Sequence, residues 1–211
     1  MKIQTVHNGR PCEVAARSPI VHQRSIVAID PDNKASGVAW IERGRIVRLE
    51  SMSLFDLQDE IPAIAAAGYL VVMEFIDNSK PTFRGSENNQ KVRDAISRSI
   101  GRAQDAARQL RLLFERSGVE YVLVEPLRGF EKRTAKADAG FFKDLTGWTG
   151  RTNEDKRDAG MLGLYGLPHG YRVCEQRHVH MTAVCPSCHR EEMRRARRRA
   201  RSAAKKLAKE A

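Results

Sequence analysis

Apolar positions fall first into three short runs, SIVAID (25–30), SGVAWIE (36–42) and GRIVRLE (44–50), each rich in Val or Ile. DPDNKA and Arg43-Gly44 divide them, so the pattern predicts three strands joined by tight turns, an antiparallel meander. Ser53 is placed to cap a helix over 54–67, with Leu54, Leu57, Ile61 and Ile64 on one face. Pro62 falls inside it and is expected to kink or end it. YLVVMEFI (69–76) is apolar almost throughout, the pattern of a strand buried on both faces. Val92, Ala95, Ile96, Ile100, Ala103, Ala107 and Leu110 recur at helical spacing over 88–116, and Gly118 stops that helix. VEYVLVEP (119–126) predicts a second buried strand, and DAGFFKDLTGW and NEDKRDAGMLGLYGL predict two more helices. Residues 1–24 show no clear period and read as an extension. Strand–helix alternation after a meander implies an α/β domain, a mixed five-stranded sheet with helices on both faces.

Composition narrows the partners. The 211 residues suit one domain with some length left over, and 41% hydrophobic residues is too apolar for a disordered chain. The net charge of +11 favours a polyanion, either nucleic acid or an acidic membrane surface. That charge is uneven. Residues 189–211 carry ten Lys/Arg against three Glu, a net +7, which leaves +4 for the other 188 residues. No segment reaches the roughly 18 continuous apolar residues of a membrane span, and MKIQTVHNGRPCEVAARSP lacks the apolar core of a signal peptide. A cytoplasmic protein is expected, with no membrane partner.

Four acidic residues stand out by position. Asp30 ends the first strand, Glu74 lies in the apolar run VVMEFI, and Asp155 and Asp158 share one helix face at i and i+3. A carboxylate buried in such a run needs a partner, because a lone buried charge is costly. Hard Mg²⁺ prefers carboxylate oxygens and keeps waters for chemistry. A pair of such ions about 3.5–4 Å apart activates water and stabilises the leaving oxygen in phosphodiester hydrolysis. Taken singly, each acid has an ordinary explanation. Asp30-Pro31-Asp32 is good turn chemistry, and Asp155 suits a helix N-terminus. The ordered set is harder to explain that way.

These motifs resemble those of RuvC-type Holliday-junction resolvases, within the RNase H-like nuclease superfamily. IDPDNKASGVAW resembles the opening motif, a strand-end Asp-Pro with Gly37 at the start of the next strand. VVMEFI resembles the second motif, with Glu74 as its Glu, and GRAQDAA (101–107) the small-residue helix that follows. Asp155-x-x-Asp158-Ala159 matches the closing motif. The resemblance spans about 25–167, and the order βββ-α-β-α-β-α is that of the RNase H-like fold. Two positions depart from it. Asp32 replaces the Gly after Asp-Pro, and Asp77 stands where the family often has a base-unstacking aromatic. Phe75 is adjacent to Glu74 but belongs to the other sheet face. The divergence is closer to a phage or mobile-element relative, which would place the protein in a bacterial host's cytoplasm.

The resemblance implies a crossover junction endodeoxyribonuclease that binds four-way DNA as a homodimer, with the long helix contributing to the dimer. Asp30, Glu74, Asp155 and Asp158 would then hold Mg²⁺ or Mn²⁺. In the family, lysines after the second buried strand contact DNA near the scissile phosphate. Lys132 and Lys136 are the matching candidates, with Arg128 and Arg133, in the stretch LRGFEKRTAKAD that otherwise reads as a solvated loop. Arg84, Lys91 and Arg93 form a second basic patch. An RNA-processing relative is an alternative, and so is a non-catalytic nucleic-acid-binding protein.

The last motif lies apart. In CEQRHVHMTAVCPSCH (174–189), Cys185 and Cys188 form a CxxC knuckle, and Cys174 with His178 or His180 could complete a tetrahedral Zn²⁺ site, with His189 also in reach. The ordinary alternative is a set of reduced cysteines and polar histidines. Three of the four cysteines cluster here, away from Cys12, a metal-like rather than a disulfide distribution. The expected organisation is an extension (1–24), an RNase H-like domain (25–170), a zinc knuckle (171–190) and a basic tail (191–211). The tail has strong helix formers and charge nearly all round, so it is expected to be disordered or marginally helical when free.

Overall fold

The computed structural model describes residues 2–7, 10–15, 17–76 and 90–210. The meander forms as three strands, β3 (Ile26–Asp30), β4 (Ser36–Glu42) and β5 (Arg45–Met52), after a hairpin of β1 (Lys2–His7) and β2 (Arg10–Ala15). Next come α1 (Leu54–Ala66), β6 (Leu70–Glu74), α2 (Gln90–Ser117) and β7 (Tyr121–Val124). Three short helices follow, α3 (Phe130–Ala137), α4 (Ala139–Thr146) and α5 (Glu154–Tyr165). The chain ends in a small ribbon, β8 (Arg172–Val173) with β9 (Val179–His180), and α6 (Pro186–Glu210).

The central sheet has the order β5-β4-β3-β6-β7. β4 is antiparallel to both neighbours, whereas β3, β6 and β7 run parallel. This is the RNase H-like mixed sheet. Period-two alternation sorts its side chains between two cores. Ile26, Ala28, Leu70, Val72, Val122 and Val124 face one way and pack with residues of α4 and α5. Val27, Ile29, Val71, Met73, Tyr121 and Leu123 face the other, under Leu57, Ile61 and Ile64 of α1 and Leu110 and Phe114 of α2. Burial on both faces is why the parallel strands read as continuous apolar runs.

Three local expectations are corrected. The extension contains a hairpin, with Ile3 buried in the first core. Its Lys-Ile-Gln-Thr alternation is short and was masked by polar residues, but Asn8-Gly9 is a strong hairpin signal. Pro62 does not end α1, which runs on to Ala66. Ser53 closes a capping box with Asp56, and the buried Leu57–Ile61–Ile64 stripe outweighs one missing hydrogen bond. The stretch 127–138, read from the sequence as lying between elements, holds α3, entered through Gly129 at φ +118°, a backbone conformation that favours glycine.

Candidate active site

Asp30 and Glu74 end adjacent parallel strands. The register pairs Ala28 with Val72 and Ile29 with Met73, so the next step sets the two carboxylates side by side on the α5 face. Carboxyl ends of parallel strands are the usual location of sites in α/β sheets.

The helix bearing the other two acids is brought there by a glycine. Gly37 pairs with Asp30 across β3–β4. A Cβ at position 37 would lie 2.0 Å from the Asp155 carbonyl oxygen and 2.9 Å from the Lys156 nitrogen. Only a residue without a side chain lets the first turn of α5 rest on the strand opposite Asp30. Further along the same helix, a Cβ on Gly163 would strike Ile41 at 2.5 Å, so the close approach continues down α5. Asn153 fixes the start of the helix, accepting from the Lys156 amide at 2.9 Å and donating to Ser51 of β5 at 3.3 Å.

Asp158 is the centre of the cluster. It is 3% exposed. Its Oδ2 accepts from Lys136 Nζ at 2.6 Å and pairs with Lys132 Nζ at 3.0 Å. Its Oδ1 is buried with no hydrogen-bond partner among the described residues. Both lysines lie on α3, at i and i+4, on one face. Arg157, 7% exposed, holds that helix in place, its Nε donating to the Lys136 carbonyl at 2.9 Å and its Nη1 to Thr152 at 3.1 Å.

The charges interact strongly. Burial, then the nearby Glu74 and Asp158 charges, push the Asp30 carboxyl up to about 8, against the pull of Lys136 and Lys132. Burial also raises Glu74, with Asp158 adding to the effect and Lys132 and Lys136 opposing it. Asp155 is raised by burial and then by Asp32. Burial works against the Lys136 ammonium, but its bond to Asp158 and the surrounding acids outweigh this and raise its pKa. The structure thus brings Asp30, Glu74 and Asp158 together. Asp155 is coupled to them through Asp158 and sits in the first turn of α5, where the helix dipole also favours it.

These residues fit a hard divalent cation. The donors are carboxylate oxygens, and one buried oxygen of Asp158 lacks a partner among the described residues, a deficit a cation would fill. Sequence reasoning missed Arg157, because a buried Arg inside a charged stretch looks like surface. It treated Asp32 as a solvated turn residue, whereas Asp32 acts electrostatically on Asp155. It also missed α3, although Lys132 and Lys136 at helical spacing were a signal. Of the other basic candidates, Arg128 and Arg133 are exposed beside and on α3. Lys91 and Arg93 open α2, the helix that covers the opposite sheet face. Arg84 and Asp77 lie outside the described residues. Phe75 packs with the α1/α2 core, on the face away from Glu74.

A second cluster lies at the β7 edge. Ligand atoms of Cys174, His178, Cys185 and Cys188 all lie within 4.8 Å of one another, a closure the carboxylates do not reach among the described residues. His180 instead places Nδ1 2.9 Å from the Thr182 carbonyl, and His189 is exposed. No described helix is long and apolar enough to cross a membrane.

No family model matches the sequence, and no curated protein matches it either. Among solved structures, the chain is similar to Thermus thermophilus RuvC, at 13% identity and a TM-score of 0.39, over 66% of this chain and 90% of that one. It is also similar to T. thermophilus RuvC in complex with Holliday junction substrate, at 14% identity and a TM-score of 0.36, with the same coverage. Identity this low transfers no residue roles, so the site stands on its own geometry.

Proposed function

We propose that this protein is a divalent-metal-dependent endonuclease that resolves four-way DNA junctions, acting as a homodimer. The observation that carries the nuclease reading is Asp158. It is a nearly fully buried carboxylate with one oxygen unpartnered among the described residues, electrostatically coupled to Asp30 and Glu74 at the ends of two parallel strands. A structural ion pair would not need two further buried carboxylates beside it, since clustered like charges are unfavourable without a cation. Junction selectivity and dimerisation rest on the ordered RuvC-like motifs and on the basic surface.

Asp30, Glu74, Asp155 and Asp158 would hold Mg²⁺ or Mn²⁺. When bound, such an ion supplies a water of lowered pKa and charge stabilisation for the leaving 3′-oxygen. The protein's own groups do the rest. Without a cation, Asp30 keeps its carboxyl proton at neutral pH, which relieves repulsion with Glu74 and Asp158. Lys132 and Lys136 offset the acidic charge that a phosphodiester must approach, and Arg157 keeps α3 positioned for this. Arg128 and Arg133 add phosphate contacts, so binding should weaken steeply with salt.

The test is a nicking assay on synthetic four-way, three-way and linear duplexes and on structured RNA, with Mg²⁺ or with EDTA. Paired, symmetric nicks in the four-way substrate, abolished by EDTA and by Asp30→Asn, are the expected result. Metal-independent cleavage, or none on any substrate, sinks the proposal. Preference for RNA would redirect it to RNA processing.

A further inference from the structure

The Cys/His cluster takes no part in the carboxylate chemistry, yet its geometry is specific. Cys174 Sγ lies 3.5 Å from Cys188 Sγ, and His178 Nδ1 lies 3.8 Å from Cys185 Sγ and 3.5 Å from Cys188 Sγ. A sulfur pair at 3.5 Å is far beyond the roughly 2.05 Å of a disulfide. Tetrahedral Zn²⁺, with Zn–S of about 2.3 Å and Zn–N of about 2.0–2.1 Å, requires S···S edges of about 3.8 Å and S···N edges of about 3.6 Å. These three edges match those lengths within a few tenths of an ångström, and all four ligand atoms lie within 4.8 Å of one another. His178 and Cys185 are buried, so the donors face inward.

The cluster is also built into the fold. Leu123 of β7 donates its amide to the Arg177 carbonyl at 2.7 Å and forms a parallel bridge with His178, so the segment extends the sheet edge. The His178 ring packs against Phe75, just past the end of β6, with centroids 4.4 Å apart and the planes tilted by 58°. Between Cys174 and His178 the chain turns tightly, with the Arg177 amide donating to the Cys174 carbonyl at 2.9 Å and Arg177 itself at φ +63°. A non-glycine residue in that region is strained and persists where its surroundings impose it. On the other side, Cys185 and Cys188 flank the start of α6. Ser187 donates to Glu125 at 2.6 Å, and Arg190 pairs with the same carboxylate at 2.5 Å. Glu125 directly follows β7, whose Val124 pairs with Glu74.

We propose that Cys174, His178, Cys185 and Cys188 hold one structural Zn²⁺ that clamps the first turns of the basic helix α6 to the sheet edge beside Glu74. Three thiolates and one imidazole form a closed set that leaves no open position for catalysis. Its role is positional. α6 carries Arg190, Arg194, Arg195, Arg197, Arg198, Arg199 and Arg201, and a charged helix with little apolar surface has no core of its own to dock it. The metal supplies that anchorage. That the anchored helix grips DNA rests on the nuclease reading; the zinc site itself does not.

The test uses the full-length protein. Metal analysis after dialysis should find one zinc per chain, and cobalt substitution should give the intense visible bands of a tetrahedral thiolate site. Cys188→Ser should lose zinc, whereas His180→Ala should keep it. Stripping zinc from the wild-type protein should speed hydrogen exchange severalfold over 174–195 and leave β3 and β6 protected. No retained zinc together with no tetrahedral cobalt spectrum overturns the proposal. So does equal zinc loss in His180→Ala, or unchanged exchange in the first turns of α6 after stripping. Zinc content is read without any DNA, so a zinc-loaded protein that cuts nothing would refute the nuclease reading alone.

Discussion

The two ligand clusters lie on either side of the edge strand β7 and are organised in opposite ways. The Cys/His set is compact, with all its ligand atoms inside 4.8 Å. It comes from one stretch of sequence, 174–188. The carboxylate set is assembled from β3, β6 and α5, and is held apart with two lysine ammoniums on its most buried member. Closure suits a structural metal, which must never leave. Openness and uncompensated charge suit a catalytic one, which must leave positions for water and substrate. Burial first, and the neighbouring acids after it, raise the pKa values of Asp30, Glu74 and Asp155, so keeping these carboxylates charged without a cation is costly.

The comparison breaks most clearly on activity. Asp30→Asn or Asp158→Asn should lower cleavage by about 100-fold or more, as loss of several kcal/mol of charge stabilisation implies, while junction binding and zinc content stay unchanged. Nicking and gel-shift assays on one preparation check this, and wild-type rates in either variant would remove that residue from the site.

Gly37→Ala should come next. Its methyl meets the Asp155 carbonyl, so α5 must lift from the sheet, at a cost of about 1–3 kcal/mol or more, and cleavage should be lost with it. Thermal unfolding and metal analysis together should show a destabilised protein that still holds its zinc.

Lys136→Met tests the lysine pair. Removing one donor from a buried carboxylate should cost about 1–3 kcal/mol in metal-free protein, and added Mg²⁺ should restore part of it. A Mg²⁺ titration followed by melting temperature measures this. No recovery with Mg²⁺ would mean that the lysines, rather than a cation, are the intended partners of Asp158.

The last test is pH dependence. The Asp30 carboxyl titrates higher when folded than when unfolded, so the folded state binds the extra proton. Its contribution to stability is therefore complete below about pH 4 and lost as pH rises through about 8. Metal-free protein should melt progressively lower across that window. Asp30→Asn or saturating Mg²⁺ should flatten the slope, whereas stripping zinc should leave it intact.

Much of this was legible in the chain. The apolar runs gave the five central strands, and in β3, β6 and β7 burial on both faces demands continuous Val, Ile and Leu. Asp30 and Glu74 were visible because a charge inside or at the end of such a run is anomalous, and Asp155 and Asp158 because i, i+3 spacing puts both on one helix face. The Cys-x-x-Cys spacing was visible because both sulfurs must reach one ion. What was missed has a common cause. α3 is short, and its polar sequence hid a helix stabilised by contact with α5 rather than by propensity. Arg157 looked like any basic surface residue until its carbonyl partner at Lys136 appeared.

The sequence by itself therefore determined the sheet, the carboxylates and the knuckle sulfurs, because hydrophobic period and ligand spacing are local properties. Only the tertiary structure decided which groups meet. It selected His178 over His180 and His189, set both lysines on Asp158, and docked α5 onto Gly37 so that an acid more than 120 positions along the chain faces Asp30. Those choices depend on the distance between elements packed across a sheet, and chain order alone does not encode that distance.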